Sequence, residues 1–502
     1  MSIFTSQLAY SAISELQPVS FGGGVDYKSD CSEIRNDRSC DESNMISDYL
    51  GTAFKRNGSK RYITQAVSTN PVNSTIRVYQ STGATTKKAL IMTSWDGIYK
   101  STGDIMPYWI KIDSGLAHNQ HFSFVAMKNK IIMTGDRLTD PIKQLDITVN
   151  TSTPVPLIAF DPSTTSINVN IRAKYNIQSR NYYIAGNVAD ITAGTTYYPS
   201  RLFYSLLDIP SSMTALRYID YRTDDGEEIT GMGELFGRVH IFKPSSIGEL
   251  SFTILNLIAN GGDQILTPIV QGFGLLAPRT LANTGQFYIF LAKDGIRMWD
   301  GGRRNRLTVT EESRIISTNI EPVIKDIIRY NTFNNCSGIY YPKKQWYIFS
   351  YEDANKFPRG RANSVMIYDL VTGEWHPQKN WNAECFAIQD GITDNGELFY
   401  GDSTDGYVYL ADREQNQNDA RKEISIDNMD STSTWVGGSG KPEWRNVVEG
   451  SASLKMTLSA VESSSSISKS AVIDIGAWSD QTKVTKSDLL EFKVLVTSLT
   501  NL

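Results

Sequence analysis

Short paired strands recur along this 502-residue chain with a common turn chemistry, and that recurrence limits the possible folds more than any other feature. Residues 90–99 read LIMTSWDGIY, residues 289–299 read IFLAKDGIRMW, and residues 398–410 read LFYGDSTDGYVYL. Each is an apolar strand, a polar step, Asp-Gly, and a second strand rich in aromatic or branched residues. Asp-Gly supplies the positive φ values that a tight hairpin turn demands. The same plan recurs with other tips at 124–133 (Lys128-Asn129), 337–349 (Pro342-Lys343-Lys344) and 365–375 (Thr372-Gly373). An isolated hairpin is marginal in water, so this many must bury one another. Radial stacking of small sheets, a β-propeller, is the common closed solution, with a set of β-sandwiches as the competing arrangement. Aromatic residues at 11%, including 25 Tyr, fit a pleated surface. The expected fold is all-β, with a β-propeller-like core, an inserted β-module and additional β-regions at the chain ends.

A chain this long exceeds one ordinary compact core. Residues 1–60 read as an N-terminal segment and 61–146 as the first part of the propeller. Residues 147–200, rich in Thr, Ser, Asn and Tyr, read as an inserted β-module or extended loop. Residues 201–415 read as the rest of the propeller, and 416–502 as a polar linker with a C-terminal β-region. Helical periodicity is confined to 311–329, where Glu321-Pro322 suits the opening of a short helix, and weakly to the extreme N-terminus.

The net charge of −5 lacks the basic footprint of a protein that grips nucleic acid. No run of about 18 uncharged apolar residues suggests a membrane span. The first residues lack a basic n-region and include Glu15, so a cytoplasmic, reducing site of folding is expected rather than a signal peptide. Four cysteines are too sparse for a disulfide scaffold, and Cys336 and Cys385 read as small buried residues.

Catalytic constellations do not assemble from the sequence. Gly22-Gly23-Gly24 is not followed by the Lys-Ser/Thr of a phosphate loop. His118 and His121 lack a third metal ligand. Asp224, Asp225, Glu227 and Glu228 lack the alternate spacing of a calcium loop and read as a solvated hairpin tip. Arg303, Arg304 and Arg306 form a compact positive loop, the one candidate contact for DNA phosphates or for an acidic patch on a neighbouring subunit. Ser94-Trp95-Asp96-Gly97 departs from the Asp-box of sialidase-type propellers, because Gly directly follows Asp. No catalytic residue, cofactor or metal set is expected.

Three segments together resemble the tail nozzle, or tubular tail protein B, family of short-tailed bacteriophages. The first is FGGGVDY followed by an Asn44-centred stretch and Lys55-Arg56-Asn57-Gly58, where the family commonly has Pro at the position of Asn57. The second is SRLFYSLLDIPSSM leading to DDGEEITGMGELFGRVHIFKPSSIGEL, with Ile241, Phe242, Lys243, Ser246 and Ile247 in its last part. The third is GLLAPRTLANTGQFYIFLAKDGIRMWDGG, turning at Asp294-Gly295 and closing at Asp300-Gly301. The resemblance implies a virion protein assembled in the host cytoplasm. It would be a homohexameric ring below the portal and its adaptor, with tail fibre, spike or tip proteins as partners. Such a ring retains packaged DNA and conducts it at ejection through transient, non-specific contacts. A glycan-binding or glycan-cleaving propeller in receptor recognition is the alternative, and it calls for a deep axial pocket with clustered Arg, Tyr and acids.

Overall fold

The computed structural model describes residues 22–302 and 313–413, together with 440–443 and 453–456. Within the first two ranges it leaves out 48–51, 83–84, 103–106, 128–129, 147–154, 157–158, 161–167, 170, 192–193, 212, 214–216, 251–265, 357, 380 and 389–395. The chain divides into two compact units, Met1–Gln417 and Asn418–Leu502. In the second, Gly440–Glu443 pairs antiparallel with Ser453–Met456; the expected strand at AVIDIGAW lies outside the described residues, as does the expected N-terminal helix.

The first unit holds seven four-stranded antiparallel sheets. Blade 1 is Val72–Thr82, Thr85–Ser94, Gly97–Ser101 and Trp109–Asp113. Blade 2 is Phe122–Met127, Lys130–Gly135, Lys143–Asp146 and Val155–Pro156. Blade 3 is Ile171–Ser179, Tyr182–Asp190, Thr196–Tyr204 and Tyr218–Asp220. Blade 4 is Gly231–Leu235, Arg238–Phe242, Ser246–Leu250 and Leu266–Gln271. Blade 5 is Ala282–Asn283, Tyr288–Ala292, Gly295–Trp299 and Ser313–Ile315. Blade 6 is Ser337–Tyr341, Trp346–Tyr351, Ser364–Asp369 and Glu374–Gln378. Blade 7 takes Ala383–Ile388, Leu398–Asp402 and Val408–Arg413 from the far end of the propeller, and its fourth strand, Gly58–Arg61, from before blade 1. First strands of successive blades lie side by side all the way round, blade 7 against blade 1 included, so the ring closes.

The apolar pattern explains why the sheets stack. A sheet covered on both faces reads as a continuous apolar run rather than an alternation. Tyr288–Ala292, Trp346–Tyr351, Ser364–Asp369 and Leu398–Asp402 are buried at every position. Seven apolar clusters result, each filling the space between two neighbouring blades. Between blades 4 and 5, for example, Phe242, Tyr288 and Trp299 pack ring against ring, with Tyr288 and Trp299 stacked at 5.8 Å.

All six expected hairpins pair, Ile367 with His376 across Thr372-Gly373 among them, but two Asp-Gly tips shift by one residue: Ser94 pairs with Gly97 and Ala292 with Gly295, so Trp95-Asp96 and Lys293-Asp294 turn and each Gly opens the second strand. The expected second short helix is α1, Glu321–Arg329, with Pro322 in its first turn. The upstream part of that periodic stretch is instead the edge strand Ser313–Ile315 and a 3-10 turn, Thr318–Ile320.

Two expected boundaries are corrected. Residues 147–200 are no insertion, because three of their segments are the long strands of blade 3, with a small hairpin, Ala159–Phe160 with Asn168–Val169, before them. Asn176 and Asn187 of those strands are buried, donating to Ile132 O and Ile229 O, while Ile171, Ala173, Tyr183, Ala185, Val188 and Phe203 supply the apolar core. The N-terminal segment does not end before the propeller at residue 60 either, since Gly58–Arg61 is part of blade 7.

Residues 22–47 form a clasp over the outer edge of blade 6. Val25 N–H donates to Trp375 O, Asn44 N–H to Pro377 O, and the Asn44 side chain accepts from Lys379 N–H. Trp375–Gln378 would otherwise expose unpaired groups on an edge strand, a template for unwanted pairing. Gly24 makes the close approach possible: its φ is +61°, and a Cβ there would lie 2.7 Å from Trp375 O.

A chain lacking residues 1–61 leaves blade 7 with three strands and an open edge. We expect it to melt well below the full chain and to aggregate on heating, measured by circular dichroism and light scattering. Unchanged melting would show that Gly58–Arg61 does not close the ring.

Candidate functional site

Each blade's first strand lines the axis, so the loops entering those strands converge at one end of it. There the sequence places charge. Arg279, in the 3-10 turn Pro278–Thr280 before blade 5, reaches across the ring. Its Nη1 donates to Glu384 Oε1 (3.2 Å) and Glu384 O (3.0 Å) on blade 7, and its Nη2 donates to Asn334 O (2.9 Å) before blade 6. The same Nη1 lies 3.2 Å from Nδ1 of His121, at the entry to blade 2. Arg361, between strands of blade 6, donates to Asn73 Oδ1 on blade 1 (3.0 Å) and stands 4.0 Å from Glu384 Oε1. Five blades thus meet at one carboxylate whose side chain has no exposed surface.

Burial dominates the electrostatics, and neighbouring positive charge adds to it. Burial, then the Arg279 guanidinium, hold His121 well below its ordinary range, so it is neutral. Nδ1 of that neutral ring faces Asn73 O at 2.8 Å. Burial also lowers Arg361; Glu384 offsets this only in part, and Arg279 and Arg137 add smaller repulsions. Asp136, whose Oδ1 accepts from His121 N–H, is raised by burial. The arrangement locks blades together by shared ion pairing.

A second network joins blades 3, 4 and 5. Lys243 has no exposed side-chain surface; its Nζ donates to Asp225 Oδ1 (2.7 Å), Arg222 O (2.8 Å) and Ser200 Oγ (2.9 Å). Glu227 accepts from Ser245 N–H and Oγ–H and from Lys293 Nζ at 2.9 Å. Burial opposes ionisation of Asp225 and Glu227, but the Lys243 and Lys293 ammoniums outweigh it and hold both below the ordinary range. The acidic stretch is therefore not a solvated hairpin tip. Asp225-Gly226 does turn, with Gly226 at φ +70°, but in the connection from blade 3 to blade 4, where Asp225, Glu227 and Glu228 are bonded and Asp224 is exposed.

Blade 7 carries a third feature, the buried pair Asp402 and Asp405 at its Asp-Gly turn. Asp402 Oδ1 accepts from Thr404 N–H, Thr404 Oγ–H and Asp405 N–H. Burial, then the neighbouring Asp405 carboxylate, push Asp402 from 3.8 up to about 7.

Arg303, Arg304 and Arg306 lie outside the described residues; Gly301 and Gly302 before them adopt φ of +77° and +70°. His118 stacks on the half-exposed Trp95 at 4.0 Å, apart from the axial group that holds His121. Cys336 and Cys385 are buried as expected. No group of three or more metal-ligating side chains occurs among the described residues. Among the described residues, surface cavities of about 120 Å³ beside α1 and Tyr351 and of about 290 Å³ beside Arg222, Glu227 and Gln271 lie away from the axial group. Sequence reasoning missed Arg279, Arg361 and Glu384. The available signal was Glu384 alone inside the apolar run AECFAI, since a lone acid in a strand that buries both faces needs a basic partner.

No family model matches the chain, and no curated protein matches it. Among solved structures it is similar to the WD40 propeller domain of Doa1, at 11% identity and a TM-score of 0.42, covering 72% of this chain and 99% of that one. The WD40 domain of Neurospora crassa Pan2 aligns at 7% identity and 0.36, covering 72% and 95%. The β-propeller domain of Myceliophteria thermophila Cps50 (Swd1) aligns at 10% and 0.41, covering 70% and 100%. At such values the likeness carries nothing about what this chain does.

Two outcomes follow from the site. Glu384→Ala strands two guanidiniums in a buried site, and its cost should be about 3–5 kcal/mol by urea denaturation. An unchanged midpoint would remove Glu384 as the axial anchor. Asp402, with a folded pKa above its unfolded value, binds more protons in the native state, so its contribution to stability falls as pH rises from about 4 to about 7. Asp402→Asn keeps the Oδ1 acceptor and abolishes the titration. Its urea midpoint should rise relative to wild type at pH 8 and not at pH 4.

Proposed function

We infer that this chain is a non-catalytic structural component of a short-tailed phage tail, forming a homohexameric ring below the portal and adaptor. In that reading the ring retains packaged DNA and conducts it at ejection, with tail fibre, spike or tip proteins as further partners. One observation carries the reading beyond the resemblance itself: the residues that make up the resemblance are joints of the scaffold. Gly24 seats the clasp on Trp375, Asn44 bonds Lys379, and Arg56 Nε donates to Gln378 Oε1 at 2.8 Å. Lys243 and Asp225 tie blade 4 to the connection before it, and Arg279 of the segment PRT spans the axis. A motif set spent on blade-to-blade joints suits a rigid structural part, whereas an enzyme motif converges on a substrate cavity. The net charge of −5 suits a conduit that phosphate slides past rather than sticks to.

The glycan reading draws on the axial arginines, the residue type it calls for. It is the weaker one, because Arg279 and Arg361 are committed to Glu384, Asn334 and Asn73.

Light scattering after size exclusion and negative-stain imaging of the purified chain decide between them. Six-fold rings, and recruitment of those rings by portal–adaptor particles, are expected, with no sugar released from bacterial polysaccharide. A monomer at every concentration that never joins such particles would overturn the tail reading. Sugar release abolished by Arg361→Ala would establish the alternative.

A further inference from the structure

Beside the network that joins blades 3, 4 and 5 lies the cavity of about 290 Å³, bordered by Arg222, Asp225, Glu227, Ser245, Ser246 and Gln271. Lys243 fixes one wall of it, because its Nζ donates to both Arg222 O (2.8 Å) and Asp225 Oδ1 (2.7 Å). Arg222 sits there in the left-handed region, at φ +46°, which a residue with a Cβ rarely occupies. Its side chain is 32% exposed, and among the described residues its guanidinium donates to no partner. Arg222 Nε stands 3.7 Å from Asp225 Oδ2, beyond hydrogen-bond reach. Asp225 Oδ2 is itself buried without a hydrogen bond. A buried carboxylate oxygen left in that state is costly, and a ligand that donates to it removes the cost.

Charge around this opening does not cancel. Asp225 has the Lys243 ammonium at 2.7 Å and Glu227 the Lys293 ammonium at 2.9 Å, so the Arg222 guanidinium is the surplus. A planar, permanently charged fork suits a tetrahedral oxyanion. Gln271, exposed at the rim, adds a carboxamide donor. Ser246 Oγ accepts from Tyr221 O–H at 3.4 Å and keeps its own hydrogen to donate. Burial opposes ionisation of Asp225 and the Lys243 ammonium outweighs it, so this carboxylate only accepts. An anion that presents bare oxygens alone is repelled by Asp225 Oδ2, whereas one that keeps a hydroxyl donates to it. We propose that this cavity is a binding site for phosphate that retains a hydroxyl, with its charged oxygens on Arg222 and Gln271 and that hydroxyl on Asp225 Oδ2. The same group occurs on the free ion and on a singly protonated phosphate monoester. Sulfate has the same shape and carries no proton at neutral pH, so the site tells the two apart. The inference rests on the cavity and stands apart from any role in a tail.

The test titrates the full chain at neutral pH and fixed ionic strength with sodium phosphate and, separately, sodium sulfate, read by isothermal calorimetry and by the melting temperature. Phosphate should bind and raise the melting temperature with its concentration. Sulfate should bind about tenfold more weakly, because a repulsion at Asp225 Oδ2 replaces a charge-assisted hydrogen bond. Arg222→Ala should weaken phosphate about tenfold, and Arg222→Lys should recover only part of that, since an ammonium keeps the charge without the fork. Gln271→Ala, at an exposed position, should weaken phosphate by a smaller factor while melting at the wild-type temperature when phosphate is absent. Ribose 5-phosphate at about pH 6, where a monoester is roughly half protonated, identifies the source of the group. Binding tighter than phosphate upholds the site for an organic monoester, and weaker binding upholds it for the free ion. Equal affinity for phosphate and sulfate would overturn the proposal. So would the absence of phosphate binding, or binding undiminished in both R222A and Q271A.

Discussion

Every other feature of the propeller depends on the burial of both faces of each small sheet. A four-stranded blade with aromatic and branched residues on both sides has no stable existence alone. In an open stack two faces would remain wet, and only a closed ring covers them all. Seven clusters at seven blade boundaries are the direct expression of that constraint. Closure in turn needs the seventh blade to be bound from both directions along the chain, which Gly58–Arg61 accomplishes by pairing with Val408–Arg413.

Apolar contact between blades is non-directional, and the charged networks supply the direction it lacks. Glu384 and its arginines hold the entries of distant blades in one geometry, while Lys243 and Asp225 do so for adjacent ones. Buried ion pairs add little net stability over apolar packing of the same volume, but a mismatched arrangement strands a charge and is heavily penalised. Here each pair joins elements of different blades or of a blade and its connection, so a displaced blade would leave a buried charge without its partner. The clasp applies the same logic outside the ring, where Arg38 and Glu374 fix which edge it covers.

Much of the blade structure was readable from the sequence because hairpins are local. A turn such as Lys293-Asp294 and the strands beside it carry their instructions within about a dozen positions. Blade 3 escaped because polar residues interrupt its apolar pattern, two of them, Asn176 and Asn187, buried on partners far along the chain, although Tyr183 and Phe203 belong to the core. The acidic stretch at Asp225 was misread for a different reason: its partner Lys243 approaches from the next blade, and no local pattern distinguishes a bonded carboxylate from a solvated one. The axial group was invisible for the same reason on a larger scale. Arg279 and Glu384 are separated by four hairpins' worth of chain, and only the closed ring makes them neighbours.

The strand that closes blade 7 also sets the order of events during synthesis. Gly58–Arg61 leaves the ribosome early, and its partner Val408–Arg413 emerges only after the six other blades have been made. The nascent chain must therefore carry an unpaired strand through most of translation, and ring closure is a late event of high contact order. Blades made in the meantime can stack on one another but cannot complete the circle. A chain that stops short of Val408–Arg413 therefore keeps an unpaired Gly58–Arg61 strand and an open sheet edge.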